Sequence, residues 1–295
     1  MQTEEQLGFL WQYLQKARQN QSPPNQWENF RRTTDQLGLG LEPTLSRMNL
    51  DLSYSSFRQW ALQRVSNPDN RASTSQEDVL SESDLSFFDE QGYLVVRKAA
   101  PAAHCQSVCE AIWELLETSP LERHGWYKEH PAKQGIMLKL YQHPALEVTR
   151  KSPLIRKAYE QLWGTKRLYV STDRVSFNPP ETNTYRFPGP YLHWDLDGFT
   201  RPIPFGLQGL LYLNRVEPEQ GAFSLVPGFH KKIDHWLASL PGGVDPQSRL
   251  GDFKAESIAG EAGDFIIWQQ ALPHGSKPNT CNYPRMVQYI NWLPL

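Results

Sequence analysis

The sequence predicts a mainly β fold, a double-sheet jelly roll with flanking helices. Helical patterns are concentrated before residue 165, and short strand-like runs dominate the rest of the chain. Helices followed by many short strands are typical of a roll of two sheets with helices packed against it. A chain of 295 residues is long enough for one large domain, or for a core domain with a small appendage.

Three stretches of the chain differ in composition. Residues 1–65 contain helix-like pieces, such as the run from Leu7 to Leu14, which are broken by prolines and glycines. We interpret them as a helical N-terminal extension. Residues 66–79 are polar and have few apolar anchors, which predicts a linker. Residues 80–295 are predicted to form the jelly-roll domain.

The elements of this domain can be predicted in chain order. Ser81 ahead of Asp84 indicates the start of a helix, and Gly92 indicates its end. Two further helices are predicted near 101–117 and 153–163. Five strand-like segments follow: 167–177, 205–213, 221–226, 264–268 and 285–292.

Two histidines and one aspartate have the pattern of an open iron(II) site. Side chains at positions i and i+2 of a strand project to the same face, so that His193 and Asp195 can hold one ion from one side. His274 follows the strand-like run 264–268, and a neighbouring strand would bring it alongside. Three such ligands leave three octahedral positions open, which a bidentate cosubstrate and dioxygen could take.

Arg285 strengthens this interpretation. It lies eleven residues after His274, and the intervening segment 277–284 is rich in turn formers. A hairpin there would carry Arg285 back towards His274. A guanidinium binds a planar carboxylate through two charge-assisted hydrogen bonds, and the hydroxyl of Ser276 would be a second donor. The alternative is that Arg285 pairs with a surface acid such as Glu261.

The chain resembles the phytanoyl-CoA dioxygenase-like family of iron(II) and 2-oxoglutarate dependent oxygenases. The resemblance covers roughly residues 83–295. It implies a double-stranded β-helix of the cupin-like type, and it implies iron(II), 2-oxoglutarate and dioxygen as cofactor and cosubstrates. The matching segments are 87–96, the metal doublet His193 and Asp195, the region 211–230, and His274 to Ser276 with Arg285.

The implied reaction is hydroxylation of a small organic metabolite, with release of succinate and carbon dioxide. Asp195 stands where halogenating relatives carry a small residue, which favours a hydroxylase. The family also uses a lysine to bind the cosubstrate, and Lys139 is the candidate here. Trp268, on the strand that leads to His274, could wall the cosubstrate pocket, with core packing as the alternative.

Substrate contacts are expected in loops near the mouth of the roll, because loops on a rigid scaffold often carry specificity. Asp197 could instead cap a turn, and His230 could fix its loop. The candidates for these contacts are Tyr127, Tyr141, Arg186, Asp197 and His230.

Composition argues against several classes of protein. The formal net charge is -2 and there is no basic cluster, which disfavours a nucleic-acid surface. No apolar run approaches the length of a membrane span, and the polar start is no signal peptide, so we expect a cytoplasmic location. Three cysteines are too few for a disulfide framework, and the helical spacing of Cys105 and Cys109 predicts burial. The oligomeric state stays open.

Two other functions also stay open. One is a metal enzyme of the same shape that does not use dioxygen, such as an isomerase or hydrolase holding zinc or manganese. Such an enzyme needs no arginine for a carboxylate, so Arg285 speaks against it. The other is a binding protein with a vestigial metal site. Release of succinate in the presence of iron(II), ascorbate and 2-oxoglutarate distinguishes the three.

Overall fold

A computed structural model describes residues 2–18, 26–37, 39, 44, 47, 53–65, 78–196 and 203–295. The chain divides into two compact units. The smaller unit comprises Met1–Glu77, Thr165–Ser171 and Leu293–Leu295, and the larger comprises Asp78–Gly164 and Thr172–Trp292. Residues 66–77, most of the predicted linker, lie outside the described residues, so that the linker stays a prediction.

The helices and strands are numbered in chain order. The α-helices are α1 Gln2–Arg18, α2 Trp27–Gln36, α3 Tyr54–Val65, α4 Glu82–Gln91, α5 Ala102–Leu115, α6 Pro144–Arg150, α7 Pro153–Trp163 and α8 Ile233–Ser239. The strands are β1 Tyr93–Val96, β2 Lys133–Gln134, β3 Met137–Leu138, β4 Leu168–Val170, β5 Val175–Asn178, β6 Leu207–Tyr212, β7 Ser224–Leu225, β8 Glu256–Ser257, β9 Phe265–Gln269, β10 His274–Gly275, β11 Arg285–Tyr289 and β12 Trp292–Pro294. No helix in the described part of the chain is both long and apolar enough to cross a membrane.

The smaller unit is built around an apolar cluster of its helices. Leu7, Leu10 and Leu14 are buried along one face of α1, which is the spacing of an amphipathic helix. They belong to the same cluster as Phe30 of α2 and Phe57 of α3. Strands β4 and β12 pair in a separate two-stranded sheet.

The larger unit contains two antiparallel sheets. The seven-stranded sheet has the order β1-β9-β6-β11-β5-β3-β2, and the three-stranded sheet has the order β10-β7-β8. Residues of both sheets share one buried cluster, in which Tyr212 and Trp268 of the large sheet join Leu225 of the small one. The large sheet, the small sheet and the helices beside them confirm the predicted mainly β architecture.

Helices cover the other face of the large sheet. Tyr159 of α7 contacts Phe265 of β9 with ring centroids 5.9 Å apart, and Trp113 of α5 contacts Phe177 of β5 at 5.3 Å. Successive strand residues point to opposite faces, so the neighbours of these aromatic residues project towards the interior of the roll. Ser176, next to Phe177, is one of them. Burial on both faces explains the long apolar runs of β6 and β9.

Local sequence signals set the ends of the helices. Helix α4 begins after Ser81, which forms the predicted capping box with Asp84, and it ends at Gly92 in the left-handed region with φ 78°. The predicted helices near 101–117 and 153–163 are confirmed as α5 and α7. Cys105 and Cys109 are buried in α5, and burial raises the pKa of their thiols to about 11 and about 12.

Three predicted strands are shorter or interrupted. The run 167–177 divides into β4, which pairs with β12, and β5, which pairs with β3 and β11. The run 285–292 divides into β11 and β12. The run 221–226 retains only β7, since Gly221 adopts φ 68° and turns the chain.

Candidate metal centre

A hydrogen-bonded backbone bridge brings the two histidines together. The amide of His193 donates to the carbonyl of His274 at 2.8 Å, and the amide of His274 donates back to the carbonyl of His193 at 3.0 Å. Residues directly opposite in an antiparallel pair project to the same face. The two imidazole rings therefore lie side by side, with centroids 4.7 Å apart.

Gly275 permits this bridge. A side chain on Gly275 would collide with the backbone carbonyl of Tyr191, two residues before His193. The close approach of the two chain segments therefore requires a residue without a Cβ at this position. The glycine that follows His274 in the sequence is thus part of the geometry of the site.

Asp195 completes a set of three ligand atoms. Its Oδ1 lies 3.8 Å from Nε2 of His193, and its Oδ2 lies 3.6 Å from Nε2 of His274. The three donor atoms all lie within 4.8 Å of one another. Donors that bind one ion at about 2.1 Å are about 3 Å apart when they meet at right angles. The observed separations are close to that arrangement, so small side-chain rotations would place all three atoms on one ion.

The backbone fixes the orientation of both imidazoles. Nδ1 of His193 lies 2.8 Å from the carbonyl oxygen of Tyr191, and Nδ1 of His274 lies 3.0 Å from that of Leu272. A carbonyl only accepts hydrogen bonds, so Nδ1 is the protonated nitrogen of each ring. The lone pair of each Nε2 is left to bind a metal.

The protonation states also suit a cation. Burial, followed by the neighbouring His274, lowers the pKa of His193, so that its ring is neutral at neutral pH. Contact with the His274 ring, followed by the hydrogen bond from Gln208, holds the pKa of Asp195 well below its usual range. A neutral imidazole and an ionised carboxylate are the forms that coordinate metal.

A short hydrogen-bond chain holds the carboxylate in place. Nε1 of Trp268 donates to Oε1 of Gln208 at 3.1 Å, and Nε2 of Gln208 donates to Oδ2 of Asp195 at 2.6 Å. Gln208 and Trp268 are directly opposite each other on β6 and β9. The indole N–H can only donate, which fixes the amide so that its NH2 group faces the carboxylate.

We predict that Gln208→Leu weakens metal binding by roughly 10- to 100-fold, the range for partners that orient a metal ligand. Trp268→Phe should weaken metal binding less. It leaves the side-chain amide of Gln208 in place but removes the hydrogen bond that fixes the orientation of that amide. Calorimetric titration of each variant with manganese(II) measures both changes. Unchanged affinity in Gln208→Leu would show that Asp195 does not need this support.

The three ligands line a cavity of about 310 Å³. This size is at the lower end of the range of small-molecule sites. Ser276 and Trp268, two of the predicted cosubstrate-binding residues, are part of its wall. The full lining comprises Ile136, Met137, Asp173, Arg174, Pro190, His193, Asp195, Gln208, Phe223, Trp268, His274, Gly275, Ser276, Tyr289 and Asn291.

Arg285 is completely buried at the start of β11. One terminal nitrogen donates to the hydroxyl of Ser176 at 3.2 Å, whereas Nε and the other terminal nitrogen have no hydrogen-bond partner among the described residues. Arg285 itself is not one of the residues that line the cavity. A buried cation with unused donors is costly unless an acceptor completes it. The alternative pairing with Glu261 is excluded, because Glu261 is exposed and lies 3.7 Å from Arg215.

Other predicted contacts lie elsewhere in the larger unit. Lys139 follows the end of β3 and is exposed, and it does not line the metal cavity. Tyr141 is exposed and is also absent from the lining. Tyr127 lies in a second cavity, where its hydroxyl donates to the carbonyl of Pro180 at 3.0 Å. None of these three residues therefore lies in the wall of the cavity that contains the candidate metal ligands.

The remaining candidates have structural partners or fall outside the described residues. Arg186 is exposed and pairs with Glu181 at 3.4 Å. Nε2 of His230 bonds the carbonyl of Asp89 at 2.9 Å, and the ring fills the space beside Gly92, which agrees with a loop-fixing role. Asp197 lies outside the described residues.

The sequence analysis missed several residues of the cavity. Gln208 is the only polar side chain in the otherwise apolar strand β6, and this break in the pattern is a signal that could have identified it. Ser176, the partner of Arg285, alternates with Val175 and Phe177 in the same way, although it does not line the cavity. Asp173 and Asn291 are polar positions inside the predicted strand-like runs 167–177 and 285–292, and each run is interrupted near that position.

The comparisons with known proteins agree with this geometry. Residues 88–287 match the family model for phytanoyl-CoA dioxygenase, which is more than half of the chain. The chain belongs to the phytanoyl-CoA dioxygenase family. A putative phytanoyl-CoA dioxygenase of Dictyostelium discoideum is 22% identical over 258 residues, which are 70% of this chain and 74% of that relative. The family resemblance predicted from the motifs is confirmed.

Solved structures with the same fold include enzymes of several activities. HygX from Streptomyces hygroscopicus, with nickel and 2-oxoglutarate bound, has a TM-score of 0.54 and 17% identity over 73% of this chain and 87% of its own. The epimerase SnoN, in complex with Fe3+, alpha ketoglutarate and nogalamycin RO, has a TM-score of 0.54 and 17% identity, with coverages of 72% and 83%. The carbocyclase SnoK has a TM-score of 0.52 and 19% identity, with coverages of 73% and 84%.

These likenesses confirm the cupin-like, double-stranded β-helical fold. Family membership and the ligand set together make the protein an enzyme of the iron and 2-oxoglutarate dependent type. Because an epimerase and a carbocyclase share the fold, the fold alone does not define the outcome of the reaction.

Proposed function

We propose that this protein is an iron(II) and 2-oxoglutarate dependent dioxygenase that hydroxylates a small organic molecule. The observation that carries the proposal is the convergence of His193, Asp195 and His274 within 4.8 Å, in the same roll as a buried arginine with unused donors. Iron(II) would be held by these three residues. The distal carboxylate of 2-oxoglutarate would be bound by Arg285 and Ser276.

The donor set fits iron(II). Two imidazoles and one carboxylate, with positions left open, form the facial arrangement of non-heme iron oxygenases. Nothing in the wall of the cavity offers a thiolate, since none of the lining residues is a cysteine. A set without thiolates suits a metal that must accept oxygen ligands from a cosubstrate.

The guanidinium of Arg285 fits a dicarboxylate. Nε and one terminal nitrogen of its planar guanidinium have no partner among the described residues, so that N–H donors remain for a carboxylate. The Ser276 side chain is buried and lines the cavity two residues after His274. A dicarboxylate bound at the metal by one end would bring its other end to these groups and satisfy them.

Iron(II), 2-oxoglutarate and dioxygen together supply an oxidation of substrate that is coupled to decarboxylation of the cosubstrate to succinate and carbon dioxide. The residues of this chain orient the bound groups and keep water away from them. Phe223 packs against Trp268 in a tilted arrangement with centroids 4.3 Å apart, and both rings lie within 6 Å of the His274 ring. This aromatic wall excludes water from one side of the ligands.

We predict that the purified protein releases succinate from 2-oxoglutarate only when iron(II) and dioxygen are both present, with ascorbate to keep the iron reduced. Slow turnover without substrate suffices for this measurement, which follows succinate by mass spectrometry. Zinc(II) or nickel(II) in place of iron(II) should bind and give no succinate. Hydrolysis or isomerisation of a substrate with zinc and no 2-oxoglutarate would favour the other metal enzymes, and absence of metal binding would favour a vestigial site.

Hydroxylation itself requires a separate measurement. Small molecules that stimulate succinate release would be converted under isotopically labelled dioxygen. A product that carries one labelled oxygen atom supports a hydroxylase. A product that is an isomer of the substrate, or that has lost two hydrogens in a new ring, would instead indicate an epimerase or a cyclase.

A further inference from the structure

We infer that the substrate carries a protonated amine and that the carboxylate of Asp173 binds it. The inference rests on the proposed function, because it names the chemistry of the molecule that enters the same cavity. Asp173 lines that cavity together with the three metal ligands. It lies two residues before β5, outside the regular strand pairing.

The carboxylate of Asp173 is held in a fixed position. Oδ1 accepts a hydrogen bond from the backbone amide of Arg174 at 2.8 Å, and Oδ2 accepts one from Nδ2 of Asn291 at 3.0 Å. Asn291 is itself fixed, since its Oδ1 accepts from the amide of Gly209 at 2.8 Å. The backbone carbonyl of Asp173 accepts from the buried guanidinium of Arg150 at 2.5 Å. A side chain held by this many partners is preorganised to bind a ligand.

No cation among the described residues forms an ion pair with this carboxylate. Its two hydrogen-bond donors, an amide N–H and an asparagine NH2, are both neutral. The neighbouring Arg174 also lines the cavity, but its guanidinium donates to Oε1 of Gln134 at 2.9 Å. An ionised carboxylate has about four acceptor sites, so roughly half of those on Asp173 remain for a ligand.

The charges of iron(II) and Arg285 would be balanced by 2-oxoglutarate and Asp195. Asp173 and Arg174 are the remaining charged residues of the cavity wall, and they form no ion pair with each other, since the Arg174 guanidinium donates to Gln134. Entry of a substrate displaces water from the Asp173 carboxylate, and such desolvation is costly unless the incoming group carries a compensating charge. An ammonium group provides both the charge and the hydrogen-bond donors, whereas an acidic group would be repelled.

Asp173 and the metal ligands line the same cavity, which has a volume of only about 310 Å³. A molecule that holds its amine at Asp173 would therefore present the rest of its skeleton to the metal side of the cavity.

Matched pairs of ligands test this inference. Each pair consists of a small primary amine and its N-acetyl derivative, which keeps the skeleton and removes the charge. Binding to the full chain is measured by ligand-observed NMR, both with and without zinc(II) and 2-oxoglutarate. Calorimetry first measures binding of the zinc and 2-oxoglutarate themselves, so that a failure of the proposed function is seen separately from a failure of amine binding.

At least one amine is expected to bind roughly tenfold or more tightly than its acetylated partner, as for a hydrogen bond to a charged group. Asp173→Asn should abolish this preference, and Asp173→Glu should retain part of it. Arg174→Gln removes a cation from the same cavity wall, so it should retain or increase this preference. Circular dichroism and thermal unfolding verify that each variant is folded.

Three results would overturn the inference. One is equal affinity of the amine and its acetylated partner in every pair. Another is the absence of binding by any amine up to the millimolar range. The third is a preference for amines that survives Asp173→Asn, which would place the recognition elsewhere in the cavity.

Discussion

Asp195→Ala is expected to abolish turnover of 2-oxoglutarate and to weaken binding of iron(II) by more than about 100-fold. Partners that only orient a metal ligand change affinity by about 10- to 100-fold, and removal of a ligand should exceed that range. Asp195 also supplies the only negative charge among the three ligands, so its loss leaves two neutral imidazoles to hold a dication. Anaerobic titration with iron(II) measures the affinity, and succinate release measures the turnover.

A matched control variant distinguishes the loss of a metal ligand from a general effect of removing an aspartate. Asp252 is exposed and pairs with Arg249 at 2.9 Å on the surface. Asp252→Ala should therefore leave iron affinity and turnover unchanged. Normal succinate release by a folded Asp195→Ala enzyme would contradict the assignment of this carboxylate, whatever its metal content.

Two of the three candidate metal ligands could be proposed from the sequence because their geometry is local. His193 and Asp195 share a face through the two-residue period of an extended chain, which can be read from the sequence alone. His274 was proposed as the third ligand because it is a histidine and because it follows a predicted strand. The backbone bridge between His193 and His274 confirms that the two segments are paired. The exact register of that pairing could not be predicted, because it depends on long-range folding.

Other cavity residues could not be predicted, since their roles depend on which strand lies opposite. Gln208 reaches Asp195 because β6 pairs with β9 and puts Trp268 directly across from it. Nothing within the segment Leu207–Tyr212 specifies that partner. Asp173 and Asn291 are 118 positions apart in the sequence and meet only through the fold.

The predicted substrate contacts stay predictions. Tyr127 and Arg186 were candidates because they lie in loops that precede the metal doublet, where the family fold places its substrate cover, but the direction of a loop side chain is set by tertiary packing. Tyr127 packs against Tyr185 in a separate cavity, and the ring centroids are 5.5 Å apart. The same limitation applied to Lys139, whose strand ends one residue earlier.

Arg285→Met is expected to weaken binding of 2-oxoglutarate and, at the same time, to stabilise the protein without cosubstrate. Truncating one partner of a buried charge pair costs about 2–5 kcal/mol, which is roughly 30-fold or more in affinity. Without cosubstrate, Nε and one terminal nitrogen of the buried guanidinium have no acceptor within the described part of the chain. An apolar side chain of similar length removes that cost, and such replacements can stabilise by about 1–4 kcal/mol.

Thermal unfolding with and without 2-oxoglutarate measures both effects in one experiment. A ligand that binds only the folded protein raises its stability in proportion to the logarithm of its concentration over the dissociation constant. The wild-type protein, loaded with zinc(II), should therefore unfold at a higher temperature when 2-oxoglutarate is added. Arg285→Met should unfold at a higher temperature than the wild type without 2-oxoglutarate, and its unfolding temperature should rise little when 2-oxoglutarate is added. Arg285→Lys keeps the charge but not the planar fork, and it should bind with intermediate affinity. If Arg285→Met unfolds at a lower temperature than the wild type without ligand and gains as much from 2-oxoglutarate, the guanidinium is a structural group and the cosubstrate carboxylate binds elsewhere.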